Sequence, residues 1–345
     1  MSLTGNKGEW SELLVFFSLL EKGVLFSADE NLQRIESIYY EIIKAIREQK
    51  DYIRKFDFIR IIEDENVTDI PIKNITDRLP IMLEKIREGQ KSIPEVKMLL
   101  EDFKISTLKA SSGSKGDLKL QIYDNRTGGT PELDFSIKSF IGAKPTLLNA
   151  SGATVFYYRA ANCLPQEFYG EVNAINTRTK LKDRLNHLQN NDVSLVFDKI
   201  SSSTFTENLY LIDYRMPEIL ANLYLCSYYS TSKKLNDVVE YYCEKYKESK
   251  RLIEYKVKEM LVATALGMVP DTPWTGLDEA TGGYIVVKDN GEILCYHIYD
   301  RNKLKNYLYT HTAFDSPSSS RTGAGQFHEI NGEQIFKLTL QIRFA

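Results

Sequence analysis

Asp117-Leu-Lys-Leu-Gln-Ile-Tyr123 and Leu133-Asp-Phe-Ser-Ile-Lys138, joined by a Gly-rich segment, decide the fold of this chain. Leu118, Leu120 and Ile122 alternate with Lys119, Gln121 and Tyr123, and Leu133, Phe135 and Ile137 alternate with Asp134, Ser136 and Lys138. Each stretch therefore predicts a strand with one apolar and one mostly polar face. Arg126-Thr-Gly-Gly-Thr130 suits the turn of an antiparallel hairpin. A turn centred near Thr127-Gly128 sets Lys138 opposite Asp117, and a slip of two residues keeps Asp117 on the diagonal, because opposed residues share a face.

A carboxylate and a lysine on one strand face suit phosphodiester cleavage. Mg²⁺ takes hard oxygen ligands, commonly one or two carboxylates plus waters and phosphate oxygens. A nearby lysine can orient an attacking water and offset charge developing on phosphate. The same pair could equally be an ordinary cross-strand ion pair, worth about 0.2–1 kcal/mol. Asp124 is a rival carboxylate, but its parity puts it on the apolar face near the turn, where it suits a turn cap. Asp134 lies four residues from Lys138, roughly 13 Å along the strand, too far to share one ion comfortably.

Working outward, residues 7–22 predict a helix apolar nearly all round and hence buried. Asn6 suits its N-cap, with Glu9 at the third position as in a capping box. Glu12 has no such duty, and it projects between Phe16 and Leu19. A carboxylate among buried positions needs a partner or a metal, so Glu12 is a candidate third group, with an Arg or Lys partner or an exposed first turn as the alternatives. Residues 31–50, 71–90 and 93–103 read as further helices, and 104–109 as a weak strand. Residues 111–116 read as a loop, and 146–160 as either strand or helix. Helices are expected over 207–232 and 234–266. Asp289-Asn-Gly291 and Asn331-Gly332 mark two β-hairpins in the last 70 residues, with a polar segment at 316–325 between them.

The chain has 345 residues, 43% of them hydrophobic and 26% charged, which is ordinary for a soluble globular protein of one or two domains. No apolar run approaches the roughly 18 residues of a membrane span, and the N-terminus lacks the pattern of a secretory signal. Cys163, Cys226, Cys243 and Cys295 are widely spaced, with no zinc-ligand pattern. Reduced thiols and a cytoplasmic location are the simplest expectation. The formal net charge of −3 gives no global signal for nucleic acid, although phosphate contact needs only a local basic surface.

The combination resembles the PD-(D/E)xK nuclease superfamily, with Asp117 at the place of the motif's aspartate and Lys138 at that of its lysine. Lys7-Gly8-x-x-x-Glu12 is similar to the first-helix glutamate pattern of several members. Ser136 stands where that motif normally carries Asp or Glu, so metal binding would lean on Glu12 and Asp117. More closely, the chain resembles the HpaII family of type II restriction endonucleases. The resemblance is carried by NKGEWSE at 6–12, SADENL at 27–32, FSIKS at 135–139, TLLNAS at 146–151, ALGM at 265–268, GGYIVVKDNGEILCYHIYDR at 282–301 and LQIRF at 340–344. That family also carries serine at the Ser136 position.

The resemblance implies an α+β fold: a restriction-endonuclease-like mixed sheet flanked by helices, with helical and C-terminal hairpin elaborations. Residues 1–160 would form the nuclease core, and 161–345 a helical segment and a β-rich DNA-recognition region. It implies Mg²⁺-dependent cleavage of double-stranded DNA at 5′-CCGG-3′, with Asp117, Lys138, Glu12 and Ser136 catalytic, Glu12 and Asp117 holding the metal, and a cognate cytosine methyltransferase protecting the host. A palindromic site suits a symmetric homodimer, although a monomer cutting strands in turn is the alternative. Because arginine is the commonest reader of guanine, Arg321, and Arg343 with Gln341 on the final strand, are candidate base readers, with Ser319, Asn149 and Lys144 as further DNA contacts. An ion-paired surface role for Arg343 is equally open. Ser136 also leaves room for a catalytically inactive DNA-binding protein on the same scaffold. His297, alternating on a strand, is expected to be structural.

Overall fold

The computed structural model describes residues 3–109, 116–317 and 323–345. The chain divides into two compact units. One comprises residues 1–145, 265–267 and 278–307, and the other 146–264, 268–277 and 308–345. The first unit thus ends earlier than residue 160 and regains a segment from the C-terminal third. The strands are β1 Val24–Ala28, β2 Arg34–Arg47, β3 Lys50–Arg54, β4 Phe58–Glu63, β5 Asn66–Pro71, β6 Leu118–Tyr123, β7 Glu132–Ser139, β8 Thr146–Leu148, β9 Val155–Ala160, β10 Leu195–Ile200, β11 Gly283–Val287, β12 Ile293–His297, β13 Thr312–Asp315, β14 Phe327–Ile330, β15 Glu333–Thr339 and β16 Gln341–Phe344.

The first unit is built on a nine-stranded mixed sheet in the order β1-β12-β11-β7-β6-β2-β3-β4-β5. The β1–β12 and β11–β7 pairs are parallel. β1 also pairs with β2, so six strands close into a ring. Helix α1, Lys7–Lys22, packs on β2 and β7. Trp10, Leu13, Phe16, Phe17 and Leu20 join Leu118, Leu120, Phe135, Ile137 and Ile285 in one core. Burying such large side chains stabilises the fold by about 1.5–3 kcal/mol each. The α+β class read from the sequence is the class observed.

One long segment departs from its sequence reading. Residues 31–50 contain strand β2 and the start of β3, not a helix. Ile35, Ile38, Ile42 and Ile46 fall at near-helical spacing, yet they are β-branched and pair in a sheet. The register of β2 against β6 shifts between Ile42 and Lys44. A bulge there adds a residue and breaks the strict alternation that marks a strand. Residues 104–109 form no strand. The ambiguous 146–160 stretch resolves into β8, a short 3₁₀ turn capped by Ser151, and β9.

The second unit carries a four-stranded sheet, β10-β9-β15-β14, and a three-stranded one, β13-β16-β8, with helices Ser203–Ile212, Met216–Cys226, Leu235–Tyr246 and Lys250–Leu266. Both Asn/Asp-Gly turns read from the sequence join antiparallel strands, β11 to β12 and β14 to β15. All four cysteines are free. Among the described residues no helix is long and apolar enough to cross a membrane. Most of the loop read at 111–116 and half of the polar segment at 316–325 lie outside the described residues.

Candidate active site

The β6–β7 hairpin positions the first carboxylate. Its turn is closed by the Asp124–Gly129 bridge, and Gly128 adopts φ +69°, a left-handed conformation that glycine takes without strain. The Asp124 carboxylate accepts the Arg126 amide at 2.9 Å and the Thr127 hydroxyl at 2.9 Å. Asp124 is thus the turn cap that its parity implied. The turn centres on Arg126-Thr127, one residue earlier than expected, and this moves the pairing by two: Leu118 faces Phe135 and Lys119 faces Asp134. Lys138 therefore does not stand opposite Asp117. Instead Asp117 latches onto β7 further down. Its amide donates to the Phe135 carbonyl at 2.9 Å. Its Oδ2 accepts the Ile137 amide at 2.7 Å and, more weakly, the Ser136 hydroxyl at 3.4 Å. Both bonds go to Oδ2, which leaves Oδ1 without a hydrogen-bond partner among the described residues.

Helix α1 brings the second carboxylate. Asn6 Oδ1 accepts the Glu9 amide at 3.0 Å, and Glu9 Oε2 accepts the Asn6 amide at 2.8 Å, the capping box anticipated from the sequence. Glu12, one turn on, is half-buried between fully buried neighbours. Burial and then the Asp117 charge push its carboxyl up to about 8, against weaker pulls from Arg47 and Lys138. Asp117 is raised less: burial lifts it, while the Ile137 amide, Lys138 and Ser136 hold it down. The Asp117 charge thus adds to the cost of ionising Glu12.

Arg47 was hidden by the misread helix. It is buried, donates to the Thr107 and Leu108 carbonyls at 2.8 and 2.6 Å, and sets a positive charge within reach of Glu12. Lys138 shares a face of β7 with Ser136, two residues away, and makes no ion pair among the described residues. Its charge favours ionisation of both Asp117 and Glu12. Asp117 and Glu12 interact electrostatically, and Asp117 Oδ1 and both Glu12 oxygens lack a hydrogen-bond partner among the described residues, beside a hydroxyl and a lysine. Among the described residues no cluster of three or more His, Cys, Asp or Glu is set to hold a metal. Two carboxylates are nonetheless the donor set of a hard cation that keeps several of its waters.

The other sequence candidates separate. Asp134 pairs with Lys119 at 3.6 Å across the hairpin. His297 is buried, stacks on Tyr40 at 4.6 Å, and is driven by burial down to about 4, so it remains a neutral structural group. Gln341 and Arg343 lie on β16, and Asn149 follows β8 in the same three-stranded sheet. Arg343 Nε pairs with Asp315 at 3.2 Å and is 45% exposed, so its guanidinium is tethered but accessible. Lys144 is exposed at the end of the first unit. Arg321 and Ser319 fall outside the described residues.

Comparison with known proteins agrees along the whole length. The HpaII restriction endonuclease family profile matches residues 6–344. A relative, the Type II restriction enzyme HpaII of Haemophilus parainfluenzae, is 38% identical over 99% of this chain and 98% of that protein. No solved structure matches.

Proposed function

The chain belongs to the HpaII restriction endonuclease family, and from that premise we propose how this restriction endonuclease, a type II site-specific deoxyribonuclease, cuts DNA. The scissile phosphate lies at Asp117, Glu12 and Lys138, and the cation is Mg²⁺ held by the two carboxylates. The observation that carries this reading is the Asp117 carboxylate, fixed through Oδ2 by the Ile137 amide while Oδ1 stays free.

A bound Mg²⁺ would polarise a phosphoryl oxygen and acidify a bound water. The residues of the chain do the remainder. Asp117 and Glu12 offer oxygens in a pocket where burial already makes a second negative charge costly. The Lys138 ammonium donates to the attacking water and offsets the charge that develops on phosphate. Ser136 adds a hydroxyl that steadies Asp117 and no charge of its own. Base reading falls to Arg321 and to Arg343 with Gln341, with Asn149, Lys144 and Ser319 as further contacts. The duplex site is CCGG, read by a symmetric dimer, and a cytosine methyltransferase is the functional partner.

Purified protein with Mg²⁺ should convert plasmid DNA into discrete fragments that end within CCGG, and cytosine methylation of those sites should block it. Fragments ending at a different sequence would overturn the proposed specificity, and random degradation would overturn the site-specific reading.

A further inference from the structure

Beside the Asp117–Ser136 contact stands a tyrosine without a role in the chemistry above. Tyr284 is the second residue of β11, and its Cα pairs with Ser136 across the parallel β7–β11 ladder, as Val286 pairs with Lys138. Ladder partners share a face, so Tyr284 stands on the face that carries Ser136 and Lys138. Gly283, just before it, has φ +114°, and a Cβ there would fall 2.1 Å from the Tyr296 carbonyl oxygen. The backbone at this point is fixed by close contact.

The Tyr284 side chain is fully buried, and its hydroxyl has no hydrogen-bond partner among the described residues. Two other buried tyrosines of this unit are paired, Tyr296 donating to the Asp29 carbonyl at 2.7 Å and Tyr52 to the Phe103 carbonyl at 2.9 Å, whereas the Tyr40 hydroxyl, like that of Tyr284, has no partner among the described residues. Buried hydroxyls are normally satisfied, and phenylalanine would fill the same space without an orphaned polar atom. Burial, then Tyr307 and Asp117, keep the hydroxyl protonated, so it is available as a donor. Ser136 contributes no charge to the site, and a cation held by two carboxylates retains several waters. Such waters are oriented by donors and acceptors in the surrounding shell.

We propose that Tyr284 is a positioning residue of the cation site, its hydroxyl donating to a water in the shell of the cation held by Asp117 and Glu12. The inference rests on the assignment of the cleavage site made above. Calorimetric titration of the full-length protein with Mn²⁺, without DNA, tests it on wild type, Tyr284→Phe and Asp117→Asn, alongside thermal melts of each metal-free protein. Tyr284→Phe should melt at or above the wild-type temperature and bind Mn²⁺ about 10–100-fold more weakly, and Asp117→Asn should lose binding. Wild-type Mn²⁺ affinity in Tyr284→Phe, with binding lost in Asp117→Asn, would overturn the Tyr284 role alone. A lower melting temperature in Tyr284→Phe would show that the hydroxyl is paired within the fold and would likewise overturn it. No Mn²⁺ binding by wild type, or full binding by Asp117→Asn, would overturn the site assignment and this inference together.

Discussion

The Asp117 carboxylate accepts the Ile137 amide at 2.7 Å, so a main-chain donor of β7 sets the orientation of the proposed metal ligand. A backbone donor cannot be removed by exchanging a side chain. Ser136, at 3.4 Å, adds only a weak second bond. Ser136→Ala should therefore reduce Mg²⁺-dependent cleavage by less than about tenfold, a loss of under roughly 1.4 kcal/mol. Single-turnover kinetics on a cognate duplex checks this.

Lys138 should behave differently. It makes no ion pair among the described residues, so its removal costs the fold little. As a donor to the developing charge it should matter mainly in the chemical step. Lys138→Ala is expected to slow cleavage by about 10²–10³-fold, the range for loss of one such donor, while specific binding measured by gel shift stays close to wild type.

Glu12 gives the site a pH dependence whose sign can be worked out. Its folded carboxyl titrates at about 8, above the ordinary 4.5. Between those values the folded protein holds a proton that the unfolded chain has released, so this group's contribution to stability falls as pH rises through that window. A cation must displace the same proton. Mn²⁺ or Mg²⁺ affinity should then rise by up to about tenfold per pH unit below 8 and level off above it. Calorimetry in buffers of different ionisation enthalpy should detect close to one proton released per cation near pH 7.

Glu12→Gln separates stability from function. It removes the charge that burial and Asp117 oppose. At pH 8.5 and without metal the variant should be more stable than wild type, on the order of 1–3 kcal/mol, and at pH 4 the two should nearly coincide. Cation affinity should drop sharply. Denaturant melts at the two pH values supply the comparison.

Arg343 is tethered to Asp315 at 3.2 Å. If it reads guanine, Arg343→Ala should cost about 1–3 kcal/mol of specific binding and relax discrimination at one base pair. Non-specific binding should change only slightly. Competition binding with singly altered duplexes measures this.

The parts of the site visible in the sequence are those set by local chemistry. Asn6 and Glu9 announced the start of α1, Asp124 the turn between β6 and β7, and strand alternation the shared face of Ser136 and Lys138. What escaped was set by distant pairing. The bulge at Ile42–Lys44 disguised β2 as a helix and concealed Arg47. Alternation alone could not choose between the two registers it allowed, and a turn centred one residue early selected the two-residue slip that keeps Asp117 on the diagonal. Tyr284 was unreadable for a similar reason: it meets Ser136 only because β11, 148 residues later in the chain, adds in parallel to β7.

The central claim is that Asp117 holds the cation that cleavage requires. Digesting plasmid DNA with wild type and Asp117→Asn in Mg²⁺, and sequencing the ends, tests it most directly. The account predicts discrete ends within CCGG for wild type and intact plasmid for Asp117→Asn at matched folding and concentration. The same set of ends at an undiminished rate from Asp117→Asn would contradict it.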